Sequence, residues 1–96
     1  MAANTNEQAE ELDALHAEKI RAFNEKIRAM DKDELGEELE LLKEDLEDVG
    51  IERRLIIGQT GVHINAVAIE AYRQSFDREA SLIKDKMDLV KQALGA

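Results

Sequence analysis

The sequence predicts an all-α protein, and three observations support this prediction. The 96 residues include no proline, only three aromatic residues and 36% charged residues, a composition typical of long helices. Apolar residues recur at spacings of three and four along most of the chain, which is the period of an amphipathic helix. Short turn signals separate these stretches. We therefore expect one domain, residues 1–96, built as a helical bundle or coiled-coil hairpin of three amphipathic helices.

The first helix is predicted over residues 5–30, with Asn4 or Thr5 as its N-cap. Beyond Met30 the leucines fall one residue out of phase with the preceding apolar positions, so this helix must end there. Its apolar stripe consists of Ala9, Leu12, His16, Ile20, Phe23, Ile27 and Met30.

The second helix is predicted over residues 32–57. Asp31 is a suitable N-cap and Glu34, three residues later, completes a capping box. The stripe of this helix consists of Leu35, Leu39, Leu42, Leu46 and Val49. The residues between these positions are nearly all charged, so the helix must lay its apolar side against another helix.

Gly50 leaves two alternatives for the following stretch. The helix can continue through it to Ile57, at a cost of about 1 kcal/mol relative to alanine. Alternatively, Gly50 can end the helix, and residues 51–66 then form a short β-hairpin around Gly58–Gly61. We expect the continuous helix, because a lone two-stranded hairpin is marginally stable in water.

The third helix is predicted over residues 61–94, with Thr60 as its N-cap. Its stripe consists of Val62, Ala66, Ile69, Tyr72 or Arg73, Phe76, Ala80, Ile83, Met87, Val90 and Leu94. A helix of this length would extend past the others by about 11 Å. We expect the overhang to expose Met87, Val90 and Leu94. Exposed apolar strips of this kind usually mark interfaces.

These stripes favour a homo-oligomer. A chain of 96 residues is close to the size at which a single core is only marginally stable, and without cysteine it has no disulfide to add stability. The residues predicted to form an interface with a second copy or a fixed partner are Leu35, Leu39, Leu42, Leu46, Ile69, Phe76, Ile83, Met87, Val90 and Leu94.

The formal net charge of −9 is concentrated in the second helix. Residues 1–30, 31–48 and 49–96 carry −2, −8 and +1, so we expect no direct nucleic-acid binding. The acidic face consists of Glu37, Glu40, Glu44, Glu47 and Asp48. Such a face either serves solubility or docks a basic protein surface.

No residue pattern indicates catalysis or metal binding. Asp31, Asp33 and Gly36 match part of a calcium-binding loop, but leucine occupies its fifth and twelfth positions. The stretch around Gly58–Gly61 lacks the lysine of a phosphate-binding loop, and neither His16 nor His63 belongs to a Glu-x-x-His motif. We expect no catalytic residues, no metal and no cofactor, and hence a protein that is not an enzyme.

The function predicted from these patterns is non-enzymatic. We expect a helical oligomerisation or adaptor protein that forms a structural piece of a larger assembly, a class that includes virus and phage assembly factors. The alternative is an acidic regulator that mimics charge and occupies a basic protein surface. The apolar runs are too short to span a membrane and the first residues show no export signal, so a cytoplasmic location is expected.

Overall fold

The computed structural model describes residues 2–59 and 66–95, and the side-chain surroundings of residues 9–58 and 66–95. It contains three helices, α1 (Ala2–Arg28), α2 (Lys32–Gln59) and α3 (Ala66–Gly95). The all-α prediction is confirmed, and the described segments contain no strand. The β-hairpin alternative for residues 51–66 is wrong over its described part, since residues 51–59 complete α2.

The helix boundaries follow local capping where the structure describes it. The capping box at the start of α2 is confirmed: Asp31 Oδ1 accepts the Glu34 N–H at 2.8 Å, and Glu34 Oε1 accepts the Asp31 N–H at 3.4 Å. Helix α1 begins at Ala2, ahead of the caps predicted at Asn4 or Thr5. The predicted cap of α3, Thr60, lies outside the described residues.

Gly50 lies within the continuous α2 helix. A Cβ atom built at this position would meet nothing within 4 Å, so packing does not require a glycine here. The glycine weakens the helix locally without ending it, because Val49 before it and Ile56 after it pack against the rest of the chain.

Helix α3 is the central element of the fold. It packs along both α1 and α2, whereas α1 and α2 scarcely touch each other. The Cα atoms span 48 × 33 × 15 Å, so the molecule is about twice as wide as it is deep. The helices therefore fan out instead of forming a compact triangular prism.

The core lies mainly between α2 and α3, and both helices contribute buried residues spaced seven apart. Helix α1 adds two residues near its C-terminal end. Together the buried residues are Phe23, Ile27, Leu35, Leu42, Val49, Phe76, Ile83 and Val90. We call the part of the bundle formed by residues 20–42 and 83–94 the closed end, because all three helices meet there.

The ring of Phe23 joins the helices at the closed end. The Lys86 ammonium of α3 lies 5.3 Å from the ring centroid, and that of Lys26 lies at 5.9 Å. Lys26 also pairs with Glu38 of α2 at 3.6 Å. Cation–π contacts of this kind contribute about 0.5–1 kcal/mol each at exposed sites.

The predicted overhang of α3 is absent. Helix α2 has 28 residues and α3 has 30 in the described chain, so α3 has no two-turn extension. Val90, predicted to be exposed, has no exposed surface, and Met87 and Leu94 pack against the core. The prediction was wrong because α1 and the start of α2 cover the C-terminal half of α3.

Candidate interaction surfaces

An open crevice separates the first half of α1 from α3. Leu12, Leu15 and Lys19 line it from α1, and Ser75, Glu79 and Leu82 line it from α3. The residues on each helix are spaced by three and four, so each set forms one row on its helix. We call residues 9–19 of α1 and 66–82 of α3 the open end of the bundle, and this cavity the open-end crevice.

The open-end crevice exposes large apolar side chains. Leu12 is 44% exposed and Leu15 is 46% exposed, although Ile27 on the same helix is only 4% exposed. Burying such a leucine contributes about 1.5–3 kcal/mol relative to leaving it in water. Two neighbouring leucines left half in water therefore form a candidate contact surface for another helix.

The crevice is open because α2 does not cover the first half of α1. The row that contains Leu12, Leu15 and Lys19 continues to Lys26, which meets Glu38 of α2 at the closed end. Little other contact joins α1 and α2. At the open end this row consequently faces only α3 across the crevice, among the described helices.

Polar bridges connect α1 to α3 beside the crevice. His16 Nε2 lies 2.7 Å from Asp85 Oδ2, and Arg78 Nη1 donates to Asp13 Oδ1 at 3.3 Å. His16 and Arg78 line the crevice and also the shallow groove on its opposite side, so they lie at its base. Exposed pairs such as Asp13–Arg78 typically contribute about 0.2–1 kcal/mol, so polar bridges hold this half of α1 weakly.

Two charged residues of the crevice have no ion-pair partner among the described residues. Neither Lys19 nor Glu79 belongs to any of the ion pairs formed by the described residues. Both side chains are exposed, and they line the crevice from opposite helices. The crevice thus combines an apolar surface with one free positive and one free negative charge.

The acidic face predicted on α2 is a continuous exposed surface. All five predicted residues, Glu37, Glu40, Glu44, Glu47 and Asp48, are exposed. Of these five residues, Glu40 alone has an ion-pair partner among the described residues, Lys43 at 3.1 Å. Leu41 and Leu55 lie close to this face and are 55% and 51% exposed. The surface faces away from the core and is open to a partner.

The residues predicted as an oligomer interface pack within the single chain. Leu35, Leu42, Phe76, Ile83 and Val90 are core residues, while Leu39, Leu46, Met87 and Leu94 are partly buried against that core. Ile69 is half-buried. The stripes thus find partners on neighbouring helices of the same chain. That these residues contact a second copy stays a prediction.

Sequence reasoning missed most of the open-end crevice. It placed Leu12 in the stripe of the first helix but gave no role to Leu15, Lys19, Glu79 or Leu82. A signal was available, because Leu12, Leu15 and Lys19 follow helical spacing next to the main stripe. Its meaning depends on where α2 lies, which the spacing does not encode.

The polar clusters of the described residues do not form a metal site. No group of three or more His, Cys, Asp or Glu side chains able to hold a metal ion is present among them. Ser81 shares the shallow groove with His16, but no hydrogen bond joins them. At the far end of α2, Arg53 faces Asp77 at 3.8 Å and so already meets a carboxylate. His63 lies outside the described residues.

Comparison with protein-family models, curated proteins and solved structures finds no significant match for this chain. Within the described residues, none of the helices has the length and apolarity needed to cross a membrane.

Proposed function

We propose that this chain is a non-enzymatic helical protein that oligomerises and serves as a structural or adaptor piece of a larger assembly. The open-end crevice is the observation that carries this proposal. It presents half-exposed Leu12 and Leu15 beside Leu82, on a molecule in which most of the α2 and α3 stripe residues pack against each other. Apolar surface of this kind is covered when helices from separate chains associate.

The energetics of a small bundle favour the same proposal. Only eight side chains are buried among the described residues, and α1 is held at one end by polar bridges. Small domains with a limited core commonly gain stability by association. Covering the crevice would bury more leucine surface and would fix the first half of α1.

The test is the molar mass of the purified chain by light scattering, at about 0.05 M and about 0.5 M salt. We expect a defined multiple of 10.8 kDa that persists at the higher salt, since apolar association does not weaken with screening. A chain that stays at 10.8 kDa at every concentration and salt would contradict the proposal.

A second candidate function is supported by the acidic face of α2. Glu37, Glu44, Glu47 and Asp48 are exposed and have no ion-pair partner among the described residues. Four free carboxylates on one helix attract a basic surface. In this alternative the chain regulates a basic protein by occupying its positively charged site.

Binding to poly-lysine tests the second candidate. Replacing Glu44 and Glu47 by Gln and Asp48 by Asn should weaken binding more than the matched control Glu10→Gln, Glu11→Gln and Glu18→Gln, which removes the same charge from α1. Binding should also fall steeply with salt. Equal losses in the two variants would show that only net charge matters and would remove this candidate.

A further inference from the structure

Resting on the proposed oligomerisation, we propose that the open-end crevice is a two-fold interface, in which each of two copies lays the first half of its α1 helix into the crevice of the other. The partner is thus a second copy of this chain. The arrangement would add a helix where α2 fails to cover α1, and it would cover Leu12, Leu15 and Leu82 in both copies.

The free charges of the crevice favour a second copy over an unrelated helix. In a two-fold interface, if residue i of the first copy contacts residue j of the second, residue j of the first copy also contacts residue i of the second. Lys19 of one copy can therefore face Glu79 of the other, and the same pair forms a second time. One free lysine and one free glutamate on opposite walls are self-complementary under this symmetry.

The acidic face does not oppose this arrangement. Its five residues lie on α2, whereas α1 and α3 line the crevice. Each copy carries a net charge of −9, and this general repulsion is screened within about 8 Å at physiological ionic strength. We therefore expect dimer formation to hold or strengthen as salt rises from a low value.

Charge reversal at the crevice provides the decisive experiment. Lys19→Glu places two carboxylates opposite each other at both symmetric contacts, and Glu79→Lys places two ammonium groups there. We expect each single variant to weaken dimerisation by about tenfold or more, because like charges across an interface repel. Sedimentation velocity over a dilution series measures the dissociation constant.

Mixing the two single variants tests the symmetry directly. A heterodimer of the Lys19→Glu chain with the Glu79→Lys chain has one acidic and one basic residue at each contact. We expect the mixture to regain a dimer about as tight as the wild-type one. Contacts within one chain cannot produce this result, since neither chain carries both substitutions.

Matched controls separate the interface from general effects of charge or polarity. Lys43→Glu makes the same charge change on the outer side of α2 and should leave the dimer intact. Leu12→Gln with Leu15→Gln should weaken dimerisation, whereas Leu41→Gln with Leu55→Gln, at similarly exposed positions, should not. Circular dichroism checks that every variant keeps its helix content.

The possible results distinguish this inference from the proposed function. A wild-type chain that stays monomeric overturns both. An oligomer that is unaffected by the crevice substitutions, or single variants that dissociate and do not recover on mixing, would overturn the two-fold crevice alone. The proposed oligomerisation would then stand on another surface, and the crevice would be left for a different protein.

Discussion

Phe23 and Leu15 lie on the same helix two turns apart, yet Phe23 is 6% exposed and Leu15 is 46% exposed. The difference follows from what lies opposite each residue. At the closed end three helices meet, and Phe23 packs among apolar side chains and two lysines. At the open end α1 faces only α3, and Asp13 and His16 connect the two. One helix is thus held by apolar packing in one half and by polar bridges in the other.

Removing the ring of Phe23 should have the largest effect on this contrast. Phe23→Ala leaves a cavity where the three helices meet, and we expect the free energy of unfolding to fall by about 3 kcal/mol. Urea denaturation followed by circular dichroism measures it. The control Leu41→Ala, at a 55% exposed position, should change stability by less than about 0.5 kcal/mol. Similar losses in the two variants would mean that Phe23 is not part of a packed core.

The second prediction concerns the capping box of α2, which stabilises the turn between α1 and α2 at the closed end. Asp31→Ala removes the carboxylate that accepts the Glu34 N–H, and we expect a loss of about 1 kcal/mol in thermal or urea unfolding. Asp33→Ala is the control, since Asp33 lies in the first turn of α2 and belongs to no ion pair of the described residues; its interaction with the helix dipole is expected to contribute about 0.3–0.5 kcal/mol. A larger loss for Asp33→Ala than for Asp31→Ala would show that Asp31 is not the N-cap.

Gly50→Ala should stabilise α2 without affecting α1, and so increase the difference in stability between α2 and the first half of α1. The position is helical and a Cβ atom there meets nothing within 4 Å, so we expect a gain of about 0.5–1 kcal/mol. Amide hydrogen exchange in residues 9–20 should remain unchanged. A lower unfolding temperature would indicate that α2 bends at Gly50 and needs the glycine.

The polar bridges should have the smallest effect on global stability. Asp13→Asn removes the ion pair with Arg78, and we expect a loss below about 0.5 kcal/mol, since both side chains are largely exposed. Amide exchange should quicken in residues 9–20 and stay unchanged in residues 23–28. Glu11→Gln, on the same helix, is the control. Uniform exchange along α1 in the wild-type chain would contradict the difference between its two halves.

The sequence predicted much of the fold because its stripes have a helical period and the α1–α2 turn carries a clear cap. Asp31 and Glu34 marked the α1–α2 turn correctly, and the marginal stability of a lone hairpin predicted that α2 continues through Gly50. The stripes of α2 and α3 were read as surfaces for another chain, although the structure pairs them with each other. The helical spacing of apolar residues shows that one face of a helix is covered. It does not show whether the covering helix belongs to the same chain or to another.

The candidate site was harder to predict for a related reason. The acidic face lies on one helix, so composition alone located Glu37 to Asp48. The open-end crevice depends on α2 leaving the first half of α1 uncovered, which only the folded chain shows. Leu15 and Leu82 are far apart in the sequence and become neighbours only in the folded chain.

The seven-residue spacing of the core has a consequence for the alignment of α2 with α3. Leu35, Leu42 and Val49 repeat at the same interval as Phe76, Ile83 and Val90, so sliding one helix by a full repeat would still bring apolar side chains together. Such a slip would separate Arg53 from Asp77, which now lie 3.8 Å apart. Ion pairs that add little energy can thus select one register among several that apolar packing alone would tolerate.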